Sequence, residues 1–259
     1  MDAITAANIR EMEARMLDMP IVGLALDVAM RTPVEAHSHA RGQLMYCSSG
    51  VMIIQSEGTS WVAPPNRAVW MPAGVTHTFF PQTRVQLRNL LVLPGVEGAL
   101  PNERCFVEVS PLLRELIVKA VTGLDTCRSD AHRGRLLQLI IDELQPSQAA
   151  PLRLPEPEDP RIRRICEHIR AEPGDPRTLE DWSTTAGASS RTLARLFLRE
   201  TGLSFSNWRR QARLIHATML LGLGHSVTSA ALESGYESPS AFIEMFRRSV
   251  GETPGQYYN

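Results

Sequence analysis

The sequence predicts a multidomain α+β protein: an antiparallel β domain, then a pair of helices, then an all-α domain. Short apolar runs between turn residues, from about residue 22 to residue 109, are typical of strands in a sandwich or barrel. Helical periodicity begins at residue 160, after a segment with five prolines that favours an extended linker. The predicted boundaries are 1–109 for the β domain, 110–145 for the helical pair, 146–159 for the linker and 160–259 for the all-α domain.

The two segments before the linker have the pattern of amphipathic helices. "SPLLRELIVKAVTGL" (Ser110–Leu124) opens with serine and proline, a common helix start, and "DAHRGRLLQLIIDELQ" (Asp130–Gln145) has its apolar residues on one face. The short connection between them predicts an antiparallel pair. The apolar stripe is either ordinary core or the interface of a homodimer, and the sequence leaves both open.

Composition and charge narrow the class of protein. The chain is 43% apolar, enough for a packed core, and has no run of about 18 apolar residues that would span a membrane. Its first 20 residues are acidic and polar where a secretory signal would be basic and then apolar, so we expect a cytoplasmic protein. The four scattered cysteines fit reduced core residues. The net charge of −1 divides into −4 for residues 1–159 and +3 for residues 160–259, a weak indication that the second part binds nucleic acid.

An internal repeat occupies the all-α domain. Each copy begins with a short amphipathic helix that ends at a glycine, Gly187 in the first copy and Gly235 in the second. A serine-rich turn and a second helix follow, and this arrangement of two short helices joined by a turn is a helix-turn-helix, whose second helix can enter the major groove of DNA. In the first copy the second helix has Leu193 and Phe197 four residues apart and ends at Gly202. In the second copy the matching residues are Phe242, Phe246 and Gly251.

Two stretches of the repeat resemble a known family. "AGASSRTLARLFLRETGLSFSNWRRQARL" (Ala186–Leu214) and "SGYESPSAFIEMFRRSVGETPGQY" (Ser234–Tyr257) are similar to the AraC/XylS family of bacterial transcription regulators. The resemblance covers about residues 160–259. It implies a seven-helix unit in which a long helix joins two helix-turn-helix modules that read adjacent turns of the major groove of double-stranded DNA. It also implies that the N-terminal domain is a sensor whose effector changes how these modules are presented.

The second helix of each copy, called here the reading helix, has an apolar face turned to the core and a polar face turned outward. The first reading helix presents Arg191, Thr192 and Arg195 near its start, and arginine can donate two hydrogen bonds to guanine O6 and N7. The second has few donors, so we expect weaker or shape-based readout there, although Glu244 can accept from cytosine N4. The predicted base contacts are Ser190, Arg191, Thr192, Arg195, Ser238, Ser240 and Glu244.

Four further arginines of this domain are predicted to contact DNA phosphates, together with backbone amides at the helix starts. Surface arginines are also common without any nucleic-acid partner, so plain solvent exposure is the alternative for each of them. The four are Arg209, Arg210, Arg247 and Arg248.

Three of the seven histidines follow a particular spacing in the β domain. His37 and His39 lie one residue apart, Gln43 follows four residues later, and His77 ends the stretch "PAGVTH". Alternate residues of a strand point to the same side, so His37 and His39 face one way. The stretches "HSHARGQLMYCSSG" and "PAGVTH" together resemble the two motifs of the cupin fold family, in which three histidines and a glutamate hold a divalent metal inside a small barrel.

This second resemblance implies a cupin-like β-barrel with one divalent transition metal, Zn, Ni, Fe or Mn, at His37, His39, Gln43 and His77. The chain departs from the cupin motifs at Gln43, where they have glutamate, and at Pro81, where they have asparagine. An amide oxygen is a weaker ligand than a carboxylate, so metal affinity should fall. The alternative is a metal-free barrel whose histidines bind an organic effector or one another. The residues predicted to line the effector pocket, or else to be plain core, are Met52, Trp61 and Trp70.

Together these features predict a sequence-specific DNA-binding transcription regulator whose β domain senses a small molecule or a metal ion. We expect a homodimer, RNA polymerase as a partner if the protein activates transcription, and no association with membranes. Two alternatives stay open. A metal-dependent cupin enzyme would use the histidines to activate water or oxygen, but no obvious general acid or base lies beside them. A constitutive DNA-binding protein would use the barrel only for dimerisation.

Overall fold

The structure is a computed structural model that describes residues 19–258 other than 31, 33, 64, 97, 99, 125–126, 148–152 and 251–252. Gly251, the predicted end of the second repeat copy, lies outside the described residues. The chain divides into two compact units. The N-terminal unit comprises residues 1–57 and 63–151, and the C-terminal unit comprises residues 58–62 and 152–259.

The strands lie mainly in the N-terminal unit, and most of the helices lie in the C-terminal unit. The strands are β1 (Ile21–Val28), β2 (Gly42–Met45), β3 (Cys47–Ser49), β4 (Met52–Ser56), β5 (Thr59–Ala63), β6 (Arg67–Met71), β7 (Thr78–Pro81), β8 (Val85–Val92), β9 (Cys105–Glu108) and β10 (Arg153–Pro155). The helices are α1 (Pro111–Thr122), α2 (Asp130–Glu143), α3 (Pro160–Ala171), α4 (Leu179–Ala186), α5 (Ser190–Thr201), α6 (Phe205–Gly222), α7 (Val227–Glu233), α8 (Pro239–Val250) and α9 (Pro254–Tyr258). In the part of the chain that is described, no helix is long and apolar enough to cross a bilayer.

The N-terminal unit is built on a six-stranded antiparallel sheet with the order β1-β8-β2-β6-β9, in which β3 also pairs with β8. A second antiparallel pair joins β4 to β7. The register places Gln43 opposite Met71 and Leu44 opposite Trp70. Because residues opposite in register point to the same side, the sheet has an inner face with Gln43 and Met71 and an outer face with Leu44 and Trp70. The predicted β domain is confirmed, but the described strands do not close into a barrel.

The predicted helical pair packs on the outer face of this sheet. Ser110 caps α1 by accepting a hydrogen bond from the Leu113 amide, and proline occupies the first turn, where no amide donor is needed. Because the two helices pack on the sheet, their apolar stripes are largely core. Each buried leucine or isoleucine contributes about 1.5–3 kcal/mol through removal from water. Leu112 and Leu139 are the exceptions, with 50% and 40% of their surfaces exposed. The buried helix residues are Leu113, Ile117, Ala120, Leu137 and Ile140.

The C-terminal unit has seven helices among its described residues, as the family resemblance implies. Helix α4 begins at a full capping box, in which the Thr178 side chain accepts from the Asp181 amide and the Asp181 carboxylate accepts from the Thr178 amide. The long helix α6 runs through the core, where Phe205 and Trp208 contact the Phe197 ring at centroid distances of 5.3 and 6.2 Å. This aromatic cluster fixes α5 on α6.

Part of the predicted linker belongs to the C-terminal unit. Arg153–Pro155 form β10, which pairs antiparallel with β5, and the Trp208 indole Nε1 donates to the Pro155 carbonyl at 2.9 Å. These residues are therefore held by the fold of that unit and are not a free spacer. Residues 148–152 of the predicted linker lie outside the described residues.

Candidate functional site

Two backbone segments bring the three spaced histidines together inside the N-terminal unit. His37 and His77 form an antiparallel bridge in which each amide donates to the other's carbonyl at 2.9 Å. The Gly74 amide donates to the His39 carbonyl, also at 2.9 Å. The ring centroids are then 4.6 Å apart for His37 and His77, 5.1 Å for His39 and His77, and 5.9 Å for His37 and His39. All three rings are buried, and their candidate ligand nitrogens lie within 4.8 Å of one another.

Each ring is oriented by a backbone carbonyl two residues away. The Nδ1 atom of His37 lies 2.7 Å from the Glu35 carbonyl, that of His39 lies 2.7 Å from the Arg41 carbonyl, and that of His77 lies 2.9 Å from the Val75 carbonyl. A carbonyl can only accept a hydrogen bond, so each Nδ1 carries a proton, and in the neutral form of each ring Nε2 carries a lone pair. This arrangement, with a backbone oxygen fixing the tautomer, is the one that metal-binding histidines use.

Gln43 completes the cluster from the start of β2. Its Oε1 lies 2.7 Å from His39 Nε2 and 2.9 Å from His77 Nε2. Both nitrogens and the amide oxygen are acceptors in this tautomer, so a donor or a cation has to lie between them. Rotation of the carboxamide, which places its NH2 group toward the two rings, is the metal-free solution. The residues fit either a cation or a neutral hydrogen-bond network.

The surroundings of His77 favour its uncharged form. The pKa of His77 is lowered to about 4, chiefly by burial and to a smaller extent by the neighbouring His37 and His39. Neutral imidazole is the form that binds a metal. Arg41, which lies between His39 and Gln43 in sequence, is buried with 4% exposure. None of the described aspartates or glutamates in the chain is buried.

The three residues predicted for the effector pocket lie in different places. Met52 shares the face of β4 and β7 that carries His77, because it alternates with Ile54, which lies opposite Phe79. Trp70 does not face the histidines: it lies on the outer face, in the core beneath α1 and α2, and its indole donates to the Pro101 carbonyl at 3.0 Å. Trp70 is therefore plain core, the alternative that the sequence left open for it. Trp61 lies in β5, within residues 58–62 of the C-terminal unit.

The first reading helix is α5, and its two faces separate as predicted. Leu193, Leu196 and Phe197 are buried, whereas Arg191 and Arg195 are exposed on the outward face. Ser190 and Thr192 are half-buried at the helix start. The Thr192 amide donates to the capping side chain of Ser189 at 3.3 Å, so Thr192 is partly engaged in the cap.

Leu198 is a residue of this face that the sequence reasoning missed. It is 62% exposed and lies seven residues after Arg191 and three after Arg195, so helical periodicity puts it on the outward side. Its spacing from Arg191 and Arg195 is the sequence signal that could have placed Leu198 on the outward face. With Ala194, Leu198 lines a largely apolar groove of about 430 Å³. The remaining lining residues are Thr178, Leu179, Ser204, Phe205, Ser206 and Arg209.

The second reading helix, α8, has a different outward chemistry. Phe242 and Phe246 are buried, and Met245 is half-buried. Glu244 is exposed and lies 3.1 Å from the Arg247 guanidinium and 3.8 Å from that of Arg248. Arg247 and Arg248, two of the four arginines predicted for phosphate contact, are thus paired with the one acid predicted for base contact. Ser240 is exposed and Ser238 is half-buried.

The other two predicted phosphate contacts differ from each other. Arg209 donates to the Arg177 carbonyl at 2.8 Å and lies over the Phe205 ring at 5.0 Å, so its guanidinium supports the fold. Arg210 is exposed and bonds only locally, to the side chain of Asn207 one turn earlier. Arg210 is therefore the better placed of the two to reach DNA.

Comparison with known proteins identifies both parts of the chain. Residues 29–154 match the AraC-like ligand binding domain, and residues 182–259 match a helix-turn-helix domain. The chain is 37% identical over 221 residues to the HTH-type transcriptional regulator NimR of Escherichia coli, covering 85% of this chain and 81% of that protein. It is 35% identical over 103 residues to the HTH-type transcriptional regulator RipA of Corynebacterium glutamicum, covering 40% of this chain and 31% of that protein. The C-terminal domain of AraT, a response regulator from Geobacillus stearothermophilus, is similar in structure with 26% identity over 39% of this chain and 84% of that chain, at a TM-score of 0.36.

The order of the two matched domains agrees with the fold class that the sequence predicted. A β-rich ligand-binding domain precedes a helical DNA-binding domain, and the similarity to NimR extends over most of both proteins. The resemblance to AraC/XylS regulators is therefore confirmed. The protein belongs to the AraC family of DNA-binding transcriptional regulators, with an AraC-like ligand-binding domain in its N-terminal part.

Proposed function

We propose that this regulator binds specific DNA sequences through α5 and α8 and that a ligand bound at His37, His39, Gln43 and His77 alters that binding. The observation that carries the proposal is the buried cluster of four polar side chains, which occupies the inside of the ligand-binding domain where a soluble core would otherwise be apolar. Its relatives are transcriptional regulators, which favours regulation over catalysis at this cluster.

At the DNA, α5 supplies most of the sequence readout in this proposal. Arg191 and Arg195 donate to guanine edges, and Ser190 and Thr192 contact bases or backbone near the helix start. In the second module the base contacts are Ser238, just before α8, and Ser240 and Glu244 within it. The proposed phosphate contacts are Arg209, Arg210, Arg247 and Arg248. Arg209 also supports the start of α6 through its hydrogen bond to the Arg177 carbonyl.

The ligand cluster is proposed to hold one divalent transition ion such as Zn, Ni, Fe or Mn. Three imidazole nitrogens and an amide oxygen converge there with the tautomers that metal binding needs. A bound ion would supply a Lewis-acid position for a small-molecule effector. The chain's own residues orient the rings through the carbonyls of Glu35, Arg41 and Val75 and exclude bulk water from the cluster.

The assembly is proposed to be a homodimer formed through α1 and α2. Leu112 and Leu139 are large apolar side chains that stay 50% and 40% exposed on this pair while their neighbours are buried in the core. RNA polymerase is the further partner if the protein activates transcription. A regulator of chromosomal genes works in the cytoplasm, which is the compartment we propose.

A variant with His39→Gln and His77→Gln is expected to lose any response of DNA binding to metal. Metal-free protein and protein with one equivalent of Zn²⁺ are titrated with operator DNA obtained by selection from a random library. In the unmodified chain we expect Zn²⁺ to change operator affinity by about 5-fold or more, a typical coupling between two sites. By the same linkage, operator DNA must change Zn²⁺ affinity by the same factor. Equal operator affinities with and without Zn²⁺ in the unmodified chain would contradict a metal-dependent response.

A Glu244→Gln variant is expected to bind non-specific DNA roughly 5-fold more tightly, because one repelling charge is removed and Arg247 and Arg248 are released. Two released arginines should also steepen the dependence of log K on log salt by about 1–2. The measurement is fluorescence anisotropy with mixed-sequence duplex at several salt concentrations. Glu233→Gln, which makes the same charge change on α7, is the matched control. The role of Glu244 is refuted if both variants gain affinity equally.

A further inference from the structure

One side chain of α6 contacts both helix-turn-helix modules. The first module comprises α4 and α5, the second comprises α7 and α8, and α6 joins them. Arg213, near the middle of α6, donates from Nε to the Pro173 carbonyl at 2.7 Å and from Nη2 to the Asp175 carbonyl at 3.2 Å. Both carbonyls belong to the loop between α3 and α4, so these hydrogen bonds attach the start of the first module to α6.

The turn of the second module packs against the same loop. Gly235 lies between α7 and α8, and a Cβ at this position would be 2.6 Å from the Gly174 Cα and 3.1 Å from the Arg213 Cζ. The two glycines therefore allow the loop and the turn to meet backbone to backbone. The guanidinium of Arg213, which is half-buried, lies at this meeting point.

The loop and the turn are each connected to a helix of their module by side chains. The Asp175 carboxylate accepts from the Arg177 guanidinium at 2.6 Å, and that guanidinium lies over the Trp182 ring of α4 at 3.6 Å. In the second module, the ring of the turn residue Tyr236 packs on the Phe242 ring of α8 at a centroid distance of 5.1 Å. A change where the loop meets the turn would therefore shift α4 and α8 relative to each other.

The covalent connection between α6 and α7 restrains the second module only weakly. Residues 223–226 of this connection are exposed, and Gly224 has a φ of 87° in an open position. A short exposed segment with a glycine can adopt several conformations. The buried Ala230 and Ala231 hold α7 in the unit, and the contact at Arg213 determines how the turn after α7 lies against the first module.

We propose that Arg213 is a positioning residue that fixes the angle between the two helix-turn-helix modules and thereby the number of base pairs that the protein accepts between the two parts of its operator. The inference rests on the proposed binding of DNA through α5 and α8 and names a residue that sets their spacing. One additional base pair moves the second part of an operator by about 3.4 Å along the DNA and about 34° around it. Two reading helices that are held rigidly cannot both follow this shift.

The test compares two operators that differ in spacing, with the full chain. The operator is selected from a random library, single-base substitutions assign the part that each module contacts, and a second duplex has one more base pair between the parts. We expect the unmodified chain to bind the longer operator about 30-fold more weakly, because the base contacts of one module are lost. For Arg213→Ala we expect this ratio to fall to about 5-fold or less, with roughly 3- to 10-fold weaker binding of the original operator, because the modules are no longer preorganised.

The ratio of the two affinities separates positioning from simple destabilisation. A variant that is only less stable contains less active protein, so its apparent affinities for both operators fall by the same factor. Arg213→Lys keeps the charge but lacks the planar fork that binds two carbonyls, so its ratio is expected to lie between those of the unmodified chain and Arg213→Ala. Arg164→Ala removes an exposed arginine of α3 that is assigned no DNA contact, and it is expected to keep the ratio of the unmodified chain. Circular dichroism reports whether each variant folds.

Two results would overturn the positioning role. If folded Arg213→Ala has the ratio of the unmodified chain, the spacing is set without this side chain, and the same ratio in Arg213→Lys has this meaning if the alanine variant does not fold. If Arg164→Ala lowers the ratio equally, the cause is the lost charge. The unmodified chain reports on the proposed function: equal affinity for operator and mixed-sequence DNA contradicts sequence-specific binding and the positioning role with it, whereas a spacing preference that Arg213→Ala retains contradicts the positioning role alone.

Discussion

A variant with Arg191→Ala and Arg195→Ala is expected to bind its operator about 30-fold more weakly than the unmodified chain, or weaker still. Both guanidiniums are exposed on the outward face of α5, opposite the buried side chains that fix this helix in the unit. An arginine that donates two hydrogen bonds to guanine contributes about 1–3 kcal/mol of discrimination, so the loss of both amounts to about 2–6 kcal/mol. Affinity for the selected operator and for mixed-sequence DNA is measured at one fixed salt concentration.

Arg191→Ala and Arg195→Ala are also made singly, and Arg199→Ala is the matched control for each of these single variants. Arg199 lies on the same helix, is exposed, and is paired with Glu200 at 2.8 Å, so its removal changes the net charge by the same amount. Because Arg199 is assigned no DNA contact, we expect this control to change operator and mixed-sequence affinity equally and only slightly. If Arg191→Ala and Arg195→Ala also weaken both kinds of DNA equally, α5 contacts only phosphates and does not read bases.

Much of the C-terminal unit could be predicted from the sequence because its signals are local. The capping box at Thr178 starts α4, Gly187 ends it in the left-handed conformation, and the spacing of apolar residues separates the two faces of α5. The pairing of side chains on the outward faces is harder to predict from the sequence. The spacing of Glu244 to Arg247 and Arg248 permits ion pairs, but periodicity alone does not decide whether an acid faces DNA or a neighbouring arginine.

The N-terminal unit was less predictable because its structure depends on long-range pairing. Strand alternation related His37 only to His39, and it was the resemblance of the two stretches to the cupin motifs that implied His77 would lie beside them. The face on which Trp70 lies depends on the register of β6 against β2, and a shift of one residue reverses every side chain of a strand. The open edges of the sheets depend on pairings between distant segments in the same way. The alternation that relates His37 to His39 also includes Arg41, so the burial of Arg41 near the cluster could have been predicted from it.

A Gly235→Ala substitution is expected to destabilise the C-terminal unit by about 2–5 kcal/mol. Gly235 has a φ of 80°, where an L-residue is strained by roughly 1–2 kcal/mol. A Cβ at this position would also lie 2.6 Å from the Gly174 Cα and 3.0 Å from the Pro173 carbonyl oxygen. That loop cannot easily move away, because the Arg213 side chain donates to the Pro173 carbonyl at 2.7 Å and to the Asp175 carbonyl at 3.2 Å. Crowding of this kind adds about 1–3 kcal/mol.

Gly187→Ala separates the two causes, because Gly187 occupies the same position in the first copy of the repeat. Its φ is 62°, so the strain is similar, but no heavy atom lies within 4 Å of the Cβ it would gain. We expect a loss of about 1–2 kcal/mol, from backbone strain alone. Urea unfolding of the full chain, followed by tryptophan fluorescence, reports on the unit because Trp61, Trp182 and Trp208 lie in it. Equal losses in the two variants would mean that the 173–175 loop yields to the methyl group, and the packing of this loop against Gly235 would then add nothing to the stability of the second helix-turn-helix.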